Sequence, residues 1–257
     1  MKKLMLLLFS LIFIASLQAN TIFVQTPVAS TFCAGLAATY KFCWDGEHPS
    51  GTDYAYTNNG AGSLQGTQQN VSIDTWANHP GADPANGDTY GLEVLTGDDF
   101  LSFPVTALDL VSDDIGTLAC WVMFTGHTGT NTWFDITGDA DDSIKAYSYG
   151  NTAQLWGNHR NQSTGNVDVY SGADVYTDNA WIDVRVSWDV SKTTGDAIWV
   201  KVGSGSWIAD ADGTSMATFT NNPTILYLGD GASGAGVNDD IYLDNCRTSI
   251  TFKDSSL

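Results

Sequence analysis

Residues 143–160 read SIKAYSYGNTAQLWGNHR, and this stretch predicts two neighbouring strands separated by a Gly- and Asn-containing turn. Successive side chains of a strand point to opposite faces of its sheet. With strands at 143–149 and 153–160, one face carries three aromatic, two cationic and two amide side chains, namely Lys145, Tyr147, Tyr149, Gln154, Trp156, Asn158 and Arg160. The opposite face carries a smaller and more apolar set, namely Ile144, Ala146, Ser148, Leu155, Gly157 and His159.

The same alternation, or a short apolar run, recurs along the chain between clusters of Gly, Asn and Asp. About a dozen runs are predicted as strands: 37–44, 90–95, 100–103, 116–124, 132–136, 143–149, 153–158, 167–170, 181–188, 197–202, 225–228 and 240–245. Short strands spaced roughly 8–12 residues apart are typical of a sandwich or barrel, and no run has helical periodicity. The 257 residues therefore predict a single all-β domain. The longest irregular stretch, residues 46–89, is predicted as a long loop.

The composition excludes several classes of function. The chain has 10 Lys and Arg against 29 Asp and Glu, which gives a formal net charge of −19. Nucleic-acid binders neutralise phosphates with Lys and Arg, so no nucleic-acid partner is expected. An acidic disordered chain would be poor in apolar residues, whereas this one is 43% hydrophobic with nine Trp. The scarcity of Glu and Lys argues against a helical bundle.

Residues 1–19 have the layout of a secretory signal peptide. Lys2 and Lys3 precede an apolar run at 4–17, and the small residue Ala19 suits cleavage. The run is too short to span a bilayer comfortably, and no transmembrane segment is expected in the mature chain. The predicted mature domain, residues 20–257, would be secreted or held at the cell surface. Loss of the two leader lysines changes the formal charge from −19 to −21.

Export makes disulfides expected among the four cysteines, which are Cys33, Cys43, Cys120 and Cys246. Three pairings are possible. We favour Cys33 with Cys43, because that spacing is local, which leaves Cys120 with Cys246. Zinc is one alternative, although no CxxC spacing supports it, and buried free thiols are another.

The order of the predicted segments resembles that of laminin-G-like domains in the concanavalin A-like lectin and glucanase superfamily. The similarity covers residues 37–245. It is carried by YKF at 40–42 with Asp45, Asp53 through LQG at 64–66, GLEV at 91–94, GDDFL at 97–101, TLACWV at 117–122, WIDVRVSWD at 181–189, IWV at 198–200, LYLG at 226–229 and DDIYL at 239–243. The family's usual His after the Trp is Ile182 here. The resemblance implies a two-sheet antiparallel β-sandwich of the jelly-roll type, a fold that hosts lectins, adhesion modules, glycosidases and polysaccharide lyases.

The outward face of residues 143–160 predicts a surface that binds carbohydrate. Sugars stack their C–H groups on aromatic rings, while amides and guanidinium groups bind hydroxyls and carboxylates. We expect this surface on the concave sheet of the sandwich, with Arg185 joining it from the strand at 181–188. The partner would be an extracellular polysaccharide or another glycan. The alternative interpretation is structural, because cross-strand aromatic pairs also stabilise sheets that bind nothing.

Enzymatic activity is not the favoured interpretation. Retaining glucanases of this fold use two carboxylates close together, whereas Glu47 and Glu93 lie far apart and no ExDxxE motif occurs. If the protein is an enzyme, a lyase acting on uronic-acid polysaccharides fits better than a glycoside hydrolase. The residues that would supply its base and its cation are Lys145, Tyr147, His159 and Arg160. His159 falls on the opposite face in the predicted register. A third alternative to carbohydrate binding is a non-catalytic role in surface adhesion or assembly.

The aspartates also suggest a structural Ca²⁺ ion. Ca²⁺ prefers six to eight oxygen ligands, and 27 of the acidic residues are Asp. The family resemblance implies a cation at the edge of the sandwich, held by Asp239 with Asp45 as a partner. A second candidate is the cluster of Asp139, Asp141 and Asp142.

Overall fold

The computed structural model describes residues 40–44, 54–57, 62–69, 72–75, 90–95, 99–104, 115–139, 142–161, 165–189, 191–192, 197–209, 224–229 and 239–254. The predicted signal peptide, Cys33, Asp45 and Asp141 lie outside these residues. Within the described ranges there is no helix long and apolar enough to cross a membrane.

Regular structure in the described part of the chain consists of strands, numbered β1 to β17 in chain order. They are β1 (Tyr40–Trp44), β2 (Tyr54–Thr57), β3 (Gly62–Gln65), β4 (Thr67–Gln69), β5 (Ser72–Thr75), β6 (Tyr90–Val94), β7 (Phe100–Pro104), β8 (Ile115–Phe124), β9 (Thr130–Asp139), β10 (Asp142–Tyr149), β11 (Gln154–Asn161), β12 (Gly165–Tyr170), β13 (Ile182–Asp189), β14 (Ile198–Val202), β15 (Ile208–Ala209), β16 (Ile225–Gly229) and β17 (Ile241–Ser249).

The larger sheet, sheet A, contains ten of the described strands. Eight follow the order β15-β14-β13-β8-β17-β1-β2-β3, and off this path β5 pairs with β6, which pairs with β17. Its centre is β17, which pairs with β8 along one side. The other side of β17 is shared by two strands, β6 opposite residues 241–243 and β1 opposite residues 246–249. All nine residues of β17 are buried. β17 therefore connects β1 and β6, from the early part of the chain, with β8 in sheet A.

The smaller sheet, sheet B, has seven described strands in the order β12-β11-β10-β9-β16-β7-β4. Strands β9 to β12 follow one another as antiparallel neighbours. Gly150 begins the turn between β10 and β11 with a φ of 72°, and its N–H donates to the Gly129 carbonyl over 2.8 Å. Glycine adopts this left-handed conformation without a steric penalty. Residues 143–160 thus form a hairpin near the edge of sheet B.

The two sheets pack face to face through alternate side chains of their strands. Sheet A contributes Leu118, Val122, Val184, Val186, Ile198 and Val200, and sheet B contributes Phe134, Ile136, Ile144, Leu155, Val167 and Leu226. Each of these side chains is at most 3% exposed. Complete burial of such a side chain stabilises the fold by roughly 1.5–3 kcal/mol relative to exposure, so this layer is the main source of stability.

Gly157 lies where β11 approaches sheet A. A Cβ atom at this position would be 3.3 Å from Val186 and 3.4 Å from Ile198, both in sheet A, and 3.1 Å from Val169 in β12. Position 157 therefore faces the core. Its neighbours Trp156 and Asn158 consequently point to the outer face of sheet B.

The structure confirms the predicted fold class, a two-sheet antiparallel β-sandwich, and each predicted strand is present within a few residues of its expected bounds. The prediction of one long loop over residues 46–89 is wrong, because this stretch contains β2, β3, β4 and β5. These strands have only three or four residues each. They are held by pairing with β1, β6 and β7 and carry little alternation that a sequence pattern could reveal.

The predicted bond between Cys120 and Cys246 is present and joins β8 to β17 with a Cα–Cα distance of 4.1 Å. It lies at a register shift between Asp244 and Arg247, where Asn245 has a φ of 51°. The extra residue of this bulge brings Cys246 beside Cys120. Cys43 is also disulfide-bonded, and its predicted partner lies outside the described residues.

Candidate functional site

Three aromatic side chains stand side by side across β10, β11 and β12 on the outer face of sheet B. The strand register places Tyr147 opposite Trp156, and Trp156 opposite Tyr170. The ring centroids are 6.0 Å apart for Tyr147 and Trp156 and 4.8 Å apart for Trp156 and Tyr170, with planes 19° and 26° from parallel. We call Tyr147, Trp156 and Tyr170 the aromatic row.

A fourth ring, that of Tyr149, lies beside the aromatic row and opposite Gln154. It meets Trp156 edge to face at 5.4 Å and Tyr147 at 6.5 Å. Tyr149 and Tyr170 are each 50% exposed, whereas Trp156 between them is half-buried. The cluster therefore offers aromatic surface at its two ends, and the indole in the centre holds those ends in place.

A row of polar side chains crosses the same strands two residues away. Lys145 lies opposite Asn158 on one side and Asp135 of β9 on the other, and Asn158 lies opposite Asp168 of β12. Asn158 Nδ2 donates to Asp168 Oδ1 over 2.5 Å. Lys145 Nζ lies 3.6 Å from Asp135 Oδ2. We call Asp135, Lys145, Asn158 and Asp168 the polar row, and its two cross-strand contacts order it without a ligand.

The phenol of Tyr147 links the two rows, because its Oη donates towards Asp168 Oδ1 over 3.5 Å. Burial raises the pKa of Tyr147 well above its usual range, and the Asp168 carboxylate raises this pKa further. The phenol therefore stays protonated at physiological pH. Tyr147 acts here as a hydrogen-bond donor and is not poised to act as a base.

Gln154 and Arg160 lie at the two ends of the outward face of β11. Gln154 is half-buried beside Tyr149, and Arg160 is exposed opposite Ser143. The hairpin thus brings together seven of the eight residues predicted to bind a ligand, which are Lys145, Tyr147, Tyr149, Gln154, Trp156, Asn158 and Arg160.

The structure does not bring Arg185 to this surface. Arg185 lies on β13 in sheet A, where its Nε and Nη2 donate to Asp183 Oδ2 over 3.1 and 2.7 Å. Its Nη1 also donates to the carbonyl of Asp254 over 3.5 Å. The expectation that Arg185 joins the cluster is therefore corrected. Alternation along a strand shows which residues share a face but not to which sheet the strand belongs.

His159 lies on the inner face of β11 and is fully buried, opposite Ile144 and Val167. This position agrees with the predicted register. Of the four residues considered for a lyase, only Lys145, Tyr147 and Arg160 share the outer face. His159 is thus separated from the other three candidates, and the lyase alternative stays a prediction.

Asp239, the predicted metal ligand, ties β17 to the segment between β8 and β9. Its carboxylate accepts hydrogen bonds from Thr128 N at 2.6 Å, Thr128 Oγ1 at 2.9 Å and Asn131 Nδ2 at 3.1 Å. These contacts fix the Asp239 carboxylate between the start of β17 and the segment at 128–131. In the described part of the chain, no group of three or more His, Cys, Asp or Glu side chains could hold a metal ion. Asp45 and Asp141 lie outside it, so calcium stays a prediction.

The sequence interpretation missed Asp168, Tyr170 and Asp135 as members of this surface. A signal for the first two was present, because VDVY at 167–170 alternates apolar with polar or aromatic residues. Extending the predicted hairpin to this third strand would have added both residues to the outward face. Asp135 joins the surface through the register of β9 with β10, and its side chain is only 1% exposed.

The fold defines the chain as a β-sandwich similar to several solved binding domains. The binding domain of botulinum neurotoxin serotype D aligns with a TM-score of 0.57 and 8% identity, over 85% of this chain and 50% of that one. That of botulinum neurotoxin DC, in complex with SialylT, aligns with a TM-score of 0.58 and 9% identity, over 85% and 49%. Botulinum neurotoxin type C, for which cell entry depends on interaction with two ganglioside molecules, gives 0.57 and 8%, over 85% and 49%.

This chain spans about half the length of those structures. Identities this low show a shared fold and nothing finer. No protein-family model matches the chain, and no curated protein matches it.

Proposed function

We propose that this chain is a carbohydrate-binding domain and that its site is the aromatic row with Tyr149 and the adjoining polar row. One observation carries the proposal. Two half-exposed tyrosines, Tyr149 and Tyr170, flank the stacked Trp156 beside an ordered amide–carboxylate pair, Asn158 and Asp168.

The chemistry of a sugar matches this combination. The C–H faces of a pyranose are apolar and pack on aromatic rings, while its hydroxyls need donors and acceptors at the ring edge. The rings here are already ordered by contact with one another, so binding costs little side-chain entropy. The polar row lies a two-residue step from the aromatic row, or about 6.7 Å along the strand. Asp135 and Asn158 are buried, so Asp168 and Lys145 are the members of the polar row within reach of a ligand on the rings.

The likeness to the botulinum neurotoxin binding domains supports this proposal at the level of the fold. Of those domains, one is in complex with SialylT and another belongs to a toxin that depends on two ganglioside molecules for cell entry. A β-sandwich of this shape is thus compatible with a glycan-binding surface.

The proposal extends to a laminin-G-like domain that is exported through residues 1–19 and binds an extracellular polysaccharide. The order of motifs over residues 37–245 supports the family, and the charged, then apolar, then small-residue layout of the leader supports export. The bond between Cys120 and Cys246 supports an oxidising compartment.

Calcium would be a structural ion in this proposal, and a melting temperature that rises with added Ca²⁺ and falls with EGTA would test it.

A glycan array probed with the purified protein tests the binding function. The comparison is between wild type, Trp156→Ala and a matched control, Trp199→Ala, whose indole lies on β14 in sheet A. We expect glycan signals for wild type and Trp199→Ala and their loss in Trp156→Ala, with thermal unfolding recorded for all three proteins. Absence of any glycan signal for wild type, or equal signals for wild type and Trp156→Ala, would contradict the proposal.

A further inference from the structure

We propose that the ligand of this surface is an uncharged stretch of oligosaccharide and that Asp168 and Gln154 bind its hydroxyls. This inference rests on the proposed function and narrows its ligand class.

The cations of the surface are already engaged. Lys145 Nζ lies 3.6 Å from Asp135 Oδ2, and the two side chains are only 15% and 1% exposed. An anionic sugar would have to draw Lys145 away from this buried carboxylate, which is costly because the charge left behind is poorly solvated. Arg160, at the margin of the surface, also has an interaction within the chain. Lys145, the cation inside the polar row, is therefore not prepared to receive a sugar carboxylate or sulfate.

Asp168 has one occupied and one open carboxylate oxygen. Oδ1 accepts the hydrogen bond from Asn158 and lies within 3.5 Å of the Tyr147 hydroxyl. Oδ2 has no hydrogen-bond partner among the described residues. An ionised carboxylate accepts hydrogen bonds and donates none, so Oδ2 suits a sugar hydroxyl and repels an anionic group. The bond would be charge-assisted and stronger than one between neutral groups.

Gln154 supplies the complementary group on the other side of the aromatic row. Its side-chain amide makes no hydrogen bond to another described residue, and an amide both donates and accepts. Gln154 and Asn158 lie two residues before and two residues after Trp156 on β11. The four-residue separation spans roughly 13 Å along the strand, which is longer than one pyranose ring. The site therefore fits consecutive sugar units.

The charge of the whole chain acts in the same direction. A formal net charge of −19 repels a polyanion at long range, although salt screens this repulsion beyond about 10 Å. At contact distance the two carboxylates of the polar row are balanced by Lys145 and by Arg160 at the margin. The surface therefore has no excess positive charge that would attract an anion, and the net charge of the chain favours a neutral ligand.

The test begins with a glycan array that carries neutral and acidic oligosaccharides. Affinities are then measured at low and high salt. The neutral polymers are galactomannan, xyloglucan and laminarin, and the acidic ones are alginate and polygalacturonate. Wild type is compared with Asp168→Asn, Gln154→Ala and a control, Asp174→Asn, at an exposed aspartate outside the two rows. We expect neutral ligands to bind with affinity that is insensitive to salt. We expect about a tenfold loss of affinity in Asp168→Asn, a smaller loss in Gln154→Ala and none in the control.

Preferential binding of acidic ligands, or affinity that falls steeply with salt, would overturn the inference and leave carbohydrate binding intact. Unchanged affinity in both Asp168→Asn and Gln154→Ala would overturn the assigned roles. Should Asp168→Asn unfold, Gln154→Ala alone decides the point. Failure of every glycan and polymer to bind wild type would instead contradict the proposed function itself.

Discussion

The rings of Trp156 and Tyr170 face each other across β11 and β12, with centroids 4.8 Å apart and planes 26° from parallel. Since Tyr147 stacks on the indole from β10, this pair is part of a row that runs towards β12, the edge strand of sheet B. An aromatic pair contributes about 0.5–1.5 kcal/mol beyond the area it buries. The same contacts can therefore hold the edge strand in place and present a surface to a ligand.

These two roles are separable at Tyr170, which is half-exposed. We expect Tyr170→Ala to weaken glycan binding about tenfold, the usual cost of losing an aromatic anchor. Its free energy of unfolding should fall by about 0.5–1.5 kcal/mol for the lost ring contact, with a further loss from the buried half of the side chain. Titration with the best array ligand and urea denaturation measure the two effects. Tyr170→Phe keeps the ring and should bind like wild type, and a purely structural row would show the stability change without the binding loss.

Gly157 sets the separation between β11 and sheet A. We expect Gly157→Val to lower the free energy of unfolding by about 1–3 kcal/mol, because its methyl groups would crowd Val186 and Ile198 and overpack the core. Urea denaturation measures this change. Gly172→Val is the matched control, since a Cβ at Gly172 would have no atom within 4 Å. Equal stability of the two variants would show that the sheets separate at no cost.

The bond between Cys120 and Cys246 closes a sequence separation of 126 residues. A cross-link over so long a loop restricts the unfolded chain strongly, and the usual stabilisation is about 2–4 kcal/mol. We expect Cys120→Ala/Cys246→Ala to lower the free energy of unfolding by this amount while the fold persists. Guanidinium denaturation with circular dichroism measures it. A denaturation midpoint equal to that of wild type would contradict the expected contribution.

His127 and Asp178 form a pH-dependent contact at the end of the sandwich, with His127 Nδ1 2.9 Å from Asp178 Oδ1. The hydrogen bond to Asp178, and then its charge, raise the pKa of His127 above its ordinary value of 6.5, and Asp239 and Asp174 raise it further. A raised histidine pKa means that the contact stabilises the fold fully below about pH 6.5. This contribution is then lost as the pH rises through the raised value.

An NMR titration of the His127 ring protons checks this prediction. We expect a pKa above 6.5 in wild type and a lower pKa in Asp178→Asn, because the amide keeps the shape of the carboxylate without its charge. The exposed position of both side chains limits the effect on stability. A His127 pKa that is the same in both proteins would show that the contact does not persist in solution.

Part of the site was predictable from sequence because it depends on local geometry. The alternation of Lys145, Tyr147 and Tyr149 on one strand and of Trp156 and Asn158 on the next follows from the two-residue repeat of any strand. A Gly-containing turn between the two runs makes them neighbours. The same reasoning placed His159 on the inner face, where the structure has it. The same reasoning did not predict strands β2 to β5, because they are too short to show alternation and are held by pairing with other strands.

The sequence alone thus determined an all-β sandwich and the two faces of the β10–β11 hairpin, and it favoured the bond between Cys120 and Cys246 that the structure contains. Only the tertiary structure decided which strands are neighbours. It added Asp168 and Tyr170 through β12, paired Lys145 with Asp135 through β9 and moved Arg185 to the other sheet. The physical reason is that side-chain direction along a strand follows from the local backbone, whereas strand order depends on pairings between residues distant in sequence. Those pairings also decide which charges of the surface are paired, because β9 supplies the Asp135 carboxylate to Lys145.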